Sequence, residues 1–245
     1  MTDQPLLGQS ALITGGARRI GREIALTFAR AGADVAITFR KSKAAAEITA
    51  GQIEDLGRRS LTIECDVRSE ASVGAGIAAA VAHFGRLDIL VNNAAIYESA
   101  PLESLSLAQW DAVFETNARG PFLVARQALA TLRSAQGRIV NVGSLGGLRA
   151  WAGHAHYSAS KAALHSLTQS MAKAFAPQVS VNCVAPGWIE LDDSSAKEAV
   201  HFASKSPMQR NGSAQDVAQA VLFFAAGPHF ITGQILAVDG GLGLV

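Results

Sequence analysis

Short apolar runs recur along the whole chain, at "SALIT", "DVAITF", "SLTIECDV", "LDILVNNA", "GRIVNVGS", "VSVNCVAPG" and "QILAVDGG". Longer stretches with helical apolar spacing separate most of them. Runs that look apolar on both faces fit a parallel sheet covered by helices on each side, whereas a sheet with one wet face alternates apolar and polar residues. The expected fold is an α/β domain, a doubly wound parallel sheet of about seven strands with helices on both faces and right-handed crossovers. A length of 245 residues suits one such domain over 1–245 better than two, and no repeat, low-complexity tract or linker divides it. The rhythm breaks only from Trp188 to Asn211, a polar, mixed segment placed after a strand end where open α/β sheets bind ligands. A substrate lid is expected around 188–211.

The charge balance, 21 Lys and Arg against 20 Asp and Glu, gives no bulk attraction to nucleic acid or an anionic membrane. The N-terminus lacks the pattern of a signal peptide and no apolar run reaches bilayer-spanning length. The expectation is a cytoplasmic protein with a small-molecule partner, and no nucleic acid or membrane. Cys65 and Cys183 lie inside strand-like runs and read as buried thiols, and no spacing suits a metal.

Gly15, Gly16 and Gly21 follow the first run and precede "REIALTFARAG", which has helical spacing. A helix N-terminus offers unpaired N–H groups and the positive end of the dipole, and glycine lets backbone approach a pyrophosphate closely. Arg18 and Arg19 sit in this turn, where positive charge suits a polyanion. After the second run, where an NAD site carries an acid for the ribose, stand Phe39, Arg40, Lys41 and Ser42. Two cations and a hydroxyl suit the 2′-phosphate of NADP(H), preferred over NAD(H), with a solvated helix entry as the alternative. Asp66, after the third run, can accept from an adenine amino group or cap a helix.

Tyr157 and Lys161, four apart in "YSASK", share one helix face. A tyrosine near its reference pKa of about 10 is a weak base at neutral pH, and an adjacent ammonium is expected to favour the phenolate. Ser144, at the carboxyl edge of the fifth run, is placed to hold a substrate carbonyl oxygen beside Tyr157.

These features, with "TGGARRIG", "CDV", "NNAA", "ETNARG", "APGWI" and "ITGQILAVDGG", resemble the short-chain dehydrogenase/reductase family nearly end to end. The resemblance implies a single-domain Rossmann fold and a catalytic set of Asn117, Ser144, Tyr157 and Lys161, with Asn117 holding a water in a proton relay. It implies cofactor contacts from Thr14, Gly15, Arg18, Arg19, Ile20, Gly21, Val67, Asn93, Ala94, Lys161, Pro186, Gly187 and Ile189. It also implies a homodimer or homotetramer built on alanine-rich helices.

Within that family, Arg19 occupies a position that is usually glycine, a feature similar to the pteridine reductase and dihydromonapterin reductase branch. There an Arg reaches both cofactor phosphates and pterin, and Tyr97 falls where an aromatic ring stacks on the pterin. Ser144 stands where parasite pteridine reductases carry an Asp, which favours a ketone or 3-oxoacyl substrate instead. Leu191 replaces a Thr that contacts the carboxamide in many relatives. Trp151 and Trp188 either shape the substrate mouth or pack in the core, and His154 and His156 read as ordinary loop histidines near it. Three functions follow: an NADPH-dependent carbonyl reductase, a pterin reductase, or a non-catalytic NADP(H)-binding sensor or structural subunit.

Overall fold

The computed structural model describes residues 4–192 and 194–245. Seven strands form one parallel sheet: β1 (Ser10–Ile13), β2 (Asp34–Phe39), β3 (Ser60–Glu64), β4 (Ile89–Asn92), β5 (Arg138–Val142), β6 (Ser180–Pro186) and β7 (Ile235–Val238). Each of the seven apolar runs supplies one strand. Their spatial order is β3-β2-β1-β4-β5-β6-β7, so the chain builds outward to β3 and then returns to pair β4 with β1. That reversal opens a crevice above the carboxyl ends of β1 and β4, where doubly wound sheets bind ligands.

Alternate side chains of each strand enter opposite cores. On one face Ala11 and Ile13 of β1, Ile89 and Val91 of β4, and Val140 and Val142 of β5 pack with helices α1 (Arg19–Arg30) and α8 (Ala214–Ala226). On the other, Leu12, Leu90 and Ile139 pack with α3 (Glu70–Phe84), α5 (Gly120–Ser134) and α6 (Ala155–Phe175). Helices α2 (Lys43–Asp55), α4 (Leu107–Phe114) and α7 (Ala196–Lys205) complete the chain. Burial on both faces is what makes the strands read as unbroken apolar runs.

A buried polar chain fixes where α6 lies over the sheet. Asn92 Nδ2 donates to Asn141 Oδ1 at 2.9 Å, Asn141 Nδ2 to Thr168 Oγ1 at 2.8 Å, and Thr168 to the Leu164 carbonyl at 2.8 Å. Each link removes a buried unsatisfied group that would cost about 1–3 kcal/mol. The ends of β4 and β5 are thereby tied to the helix that carries Tyr157 and Lys161.

Candidate functional site

The glycine turn is held by its neighbours rather than left loose. Gly15 adopts φ +65°, and a Cβ on Gly21 would lie 2.3 Å from the Gly15 carbonyl oxygen, so side chains are excluded where the turn meets α1. Thr14 and Asn93, expected to touch the cofactor, serve this turn from beneath. The Thr14 hydroxyl accepts from the Asn93 and Ala94 amides at 2.9 and 3.0 Å, and Asn93 Nδ2 donates to the Thr14 and Gly15 carbonyls. Thr14 is buried and is absent from the cavity lining.

Above the turn lies a cavity of about 530 Å³. Gly15 and Arg18 to Gly21 line one side, Arg40, Lys41 and Ser42 the second, Asp66 and Val67 the third, and Asn93, Ala94 and Tyr97 the side toward α6. Leu191 reaches it from the segment after β6. Two helices begin at this cavity, α1 at Arg18 and α2 at Ser42, and neither has a side-chain cap or an acid in its first turn. Helices α3, α4, α7 and α8 are capped by Ser69, Ser106, Ser195 and Ser213, whereas α5 and α6 share the lack of a side-chain cap with α1 and α2. Helix ends without their own acceptor, ringed by arginine and lysine, suit an anionic ligand with more than one phosphate. Arg19 carries a left-handed φ of +54°, a conformation disfavoured for a side chain of its kind.

Asp66 neither caps a helix nor stays open for adenine alone. Its carboxylate accepts from the Arg68 amide at 3.0 Å and from the Arg68 guanidinium at 2.6 Å, and that hydrogen bonding holds it down to about 2. The cap of α3 is Ser69, whose side chain accepts from the Ser72 amide.

Tyr157 lies buried on α6, edge-on to Tyr97 with ring centroids 4.9 Å apart and planes at 87°. Lys161, one turn on, places Nζ 5.8 Å from the Tyr157 ring centroid and donates to the Val142 carbonyl at 2.8 Å. The phenol does not come down toward neutral pH as the adjacent ammonium was expected to bring it. Burial pushes Tyr157 up to about 12, with the Ser144 hydroxyl opposing the rise, and burial brings Lys161 down to about 8. Desolvation disfavours whichever form is charged, and it is the largest effect on both groups. Ser144 Oγ accepts from the Gly146 amide at 3.0 Å, which leaves its O–H free to donate.

Asn117 sits in a π-helical turn, Glu115–Arg119. Its carboxamide accepts from the Ile96 amide at 2.8 Å and donates to the Ile96 carbonyl and Ser160 Oγ. Ser160 in turn donates to the Tyr157 carbonyl at 2.7 Å. Asn117 therefore joins the chain after β4 to the turn of α6 that bears Tyr157.

The mouth is aromatic. Tyr97 stacks on His154 at 4.8 Å, and its hydroxyl lies 3.1 Å from His154 Nε2, while His154 Nδ1 lies 3.0 Å from the Glu98 carbonyl. Trp188 stacks on Phe202 of α7 at 5.2 Å, within the segment expected to form a lid. The backbone at Ile189 bridges to Gly212, and the Gly187 amide donates to the Val238 carbonyl at 3.0 Å. Pro186, Gly187, Trp188 and Ile189 stand outside the large cavity, as do Asn117, Ser144, Tyr157 and Lys161. His156 is fully buried rather than at the mouth.

Nothing in the motifs or spacing marks His165. It is buried one turn beyond Lys161, and a Cβ on Gly143 would lie 2.4 Å from its Nε2. Burial first, and the Lys161 charge second, push it down to about 4. A neutral imidazole there spares Lys161 a second buried cation. Cys65 and Cys183 are free and buried.

A doubly wound sheet with a phosphate-suited crevice and a buried Tyr–Lys pair defines a nucleotide-dependent oxidoreductase. A family profile described as Enoyl-(Acyl carrier protein) reductase matches residues 15–243, and the chain belongs to the short-chain dehydrogenase/reductase family. It is similar to a 3-oxoacyl-(acyl-carrier-protein) reductase of Synechocystis sp., 35% identical over 97% of this chain and 98% of that protein. A protein of the same description from Staphylococcus aureus is 38% identical over 96% and 98%. A short chain dehydrogenase of Burkholderia cenocepacia, solved in complex with NADP, superposes with a TM-score of 0.91 at 40% identity, covering 97% of this chain and 99% of that one. No described helix is long and apolar enough to cross a membrane.

Proposed function

We propose that the protein reduces a carbonyl of the ketone or 3-oxoacyl type with NADPH. The observation that carries this reading is a buried Tyr157 beside Ser144 and Lys161, adjoining a crevice ringed by Arg18, Arg19, Arg40 and Lys41. The donor set fits the cofactor: the α1 terminus and Arg18 would hold its pyrophosphate, and Arg40, Lys41 and Ser42 its 2′-phosphate. When bound, the nicotinamide supplies the hydride that reduces the carbonyl carbon. As the oxygen gains negative charge, the Tyr157 O–H gives it a proton, so the C=O becomes CH–OH with charge balanced. The Ser144 O–H donates to the same oxygen, and the Lys161 ammonium stabilises the phenolate that remains. The names of the relatives support the 3-oxoacyl class. Residues 188–211 serve as lid, and the alanine-rich α5 and α6 serve as the face of a cytoplasmic homodimer or homotetramer.

The pH profile follows from Lys161. Its useful form is the ammonium, which exists below its pKa, so kcat/KM for NADPH falls as pH rises through about 8. A profile flat to about pH 10, the reference lysine range, rules Lys161 out as that group.

A second reading, a dihydropterin reductase, is favoured by Arg19 and Tyr97, which line one cavity with Tyr97 edge-on to Tyr157. The two separate when NADPH absorbance, with NADH in parallel, is followed against a 3-oxoacyl thioester, a diketone and dihydrobiopterin. Arg19→Gly sharpens the test. It relieves the left-handed φ that Arg19 adopts. For a carbonyl reductase it raises KM for NADPH alone; for a pterin reductase it raises KM for the pterin as well.

A further inference from the structure

The "VDGG" stretch after β7 has no part in the reaction described above, yet it joins three strand ends beside the site. Asp239 Oδ1 accepts from the Gly241 amide at 3.0 Å and Oδ2 from the Gly243 amide at 2.8 Å. This double cap folds residues 240–243 into a turn in which Gly240 and Gly241 take φ +61° and +83°. The turn leans on the loop after β5: a Cβ on Gly243 would stand 3.0 Å from Leu145 Cδ1, the residue next to Ser144. Arg149 closes the contact, its guanidinium donating to the Gly243 carbonyl at 2.8 Å and to the Val245 carbonyl. On the β6 side, a Cβ on Gly187 would stand 2.7 Å from Asp239 Cβ. From the lid segment, Ser206 Oγ and the Met208 amide both donate to the Gly240 carbonyl, at 3.1 and 3.2 Å.

The loop carrying Ser144 is thus held from two directions. On its inner side Gly147 lies against Lys161 and His165, where an added Cβ would come within 2.7 Å of each. On its outer side the turn capped by Asp239 sets Gly243 against Leu145, and the Arg149 guanidinium ties that turn to the loop. Arg149 is exposed and does not line the cavity, and its backbone amide donates to the Leu145 carbonyl at 2.8 Å, so it is tied directly to the loop that carries Ser144.

We propose that Arg149 and Asp239 are positioning residues that set the Ser144 hydroxyl through the 240–243 turn, and that the lid is coupled to Ser144 through the Gly240 carbonyl. The kinetic half of this proposal rests on the carbonyl-reductase reading. Small displacements of an aligned donor are costly, since about 1 Å of misplacement can lower a rate a hundredfold.

The test is a double-mutant cycle in the full chain. Arg149→Ala, at an exposed site, leaves the fold and KM for NADPH intact and lowers kcat about three- to tenfold, by the pairwise logic of residues acting as a unit. In a Ser144→Ala background the same change costs less than about twofold. Arg149→Lys, which keeps a donor, recovers most of the loss. Amide exchange of Gly146, whose N–H donates to Ser144 Oγ, rises in Arg149→Ala with no substrate present. Equal kcat losses in both backgrounds, or unchanged Gly146 exchange, overturns the proposal. If the wild-type protein reduces no carbonyl at all, the reductase reading fails by itself, and Gly146 exchange still decides whether Arg149 and Asp239 order the loop.

Discussion

Replacing Tyr157 by phenylalanine is expected to lower kcat for carbonyl reduction by on the order of 10²- to 10⁴-fold, with the fold and KM for NADPH preserved. The variant removes one oxygen and keeps the ring, so the edge-on contact with Tyr97 and the burial of the side chain persist. What disappears is the O–H that carries the transferred proton. At neutral pH that proton is present, because burial holds the phenol near 12. The cost to stability is at most about 1–3 kcal/mol, the price of leaving the Ser144 hydroxyl without its neighbour. Steady-state kinetics with NADPH and a 3-oxoacyl thioester, alongside thermal unfolding, separates the two effects. Full turnover in Tyr157→Phe removes the tyrosine from the chemistry. Absence of turnover in the wild type, with NADPH binding retained, points instead to a sensor or structural subunit.

The protonation of Tyr157 also marks the limit of what spacing reveals. Tyr157 and Lys161 share a face because helix geometry alone sets that relation, and the strands declared themselves because both their faces are buried. Which form of each group is stable depends on the solvent removed around it, and no i,i+4 interval records that. The same holds for Asp66, whose engagement by Arg68 depends on a tight turn, and for Thr14, whose hydroxyl is consumed by the Asn93 and Ala94 amides. His165 and Asp239 act through contacts between segments far apart in the chain. Glycines 143, 147 and 187 mark those contacts only after the fold brings a neighbour within 2.4–2.8 Å of an added Cβ.

Removing both cations at the second helix entry, Arg40→Ala with Lys41→Ala, is expected to lower kcat/KM for NADPH by about 10- to 100-fold while kcat/KM for NADH changes little. NADPH and NADH share a pyrophosphate, so whatever the uncapped α1 terminus and Arg18 contribute is common to both. Only the 2′-phosphate differs between them, and the groups at the mouth of α2 are placed for it: Arg40, Lys41 and a Ser42 whose hydroxyl makes no cap. Hydrogen bonds to a charged partner contribute about 1.5–3 kcal/mol, and each 1.4 kcal/mol is tenfold, which sets the expected range. Asp66 stays ionised through Arg68 when Arg40 is gone, so removing the Arg40 cation leaves that carboxylate less compensated and the end of the crevice less hospitable to a phosphate. Because Arg40 and Lys41 are exposed, the preference for NADPH should weaken with added salt. Equal losses for the two cofactors would make this cluster a general electrostatic attractor. Selectivity would then have to arise at Arg18 and Arg19, the cations at the other helix end of the same cavity.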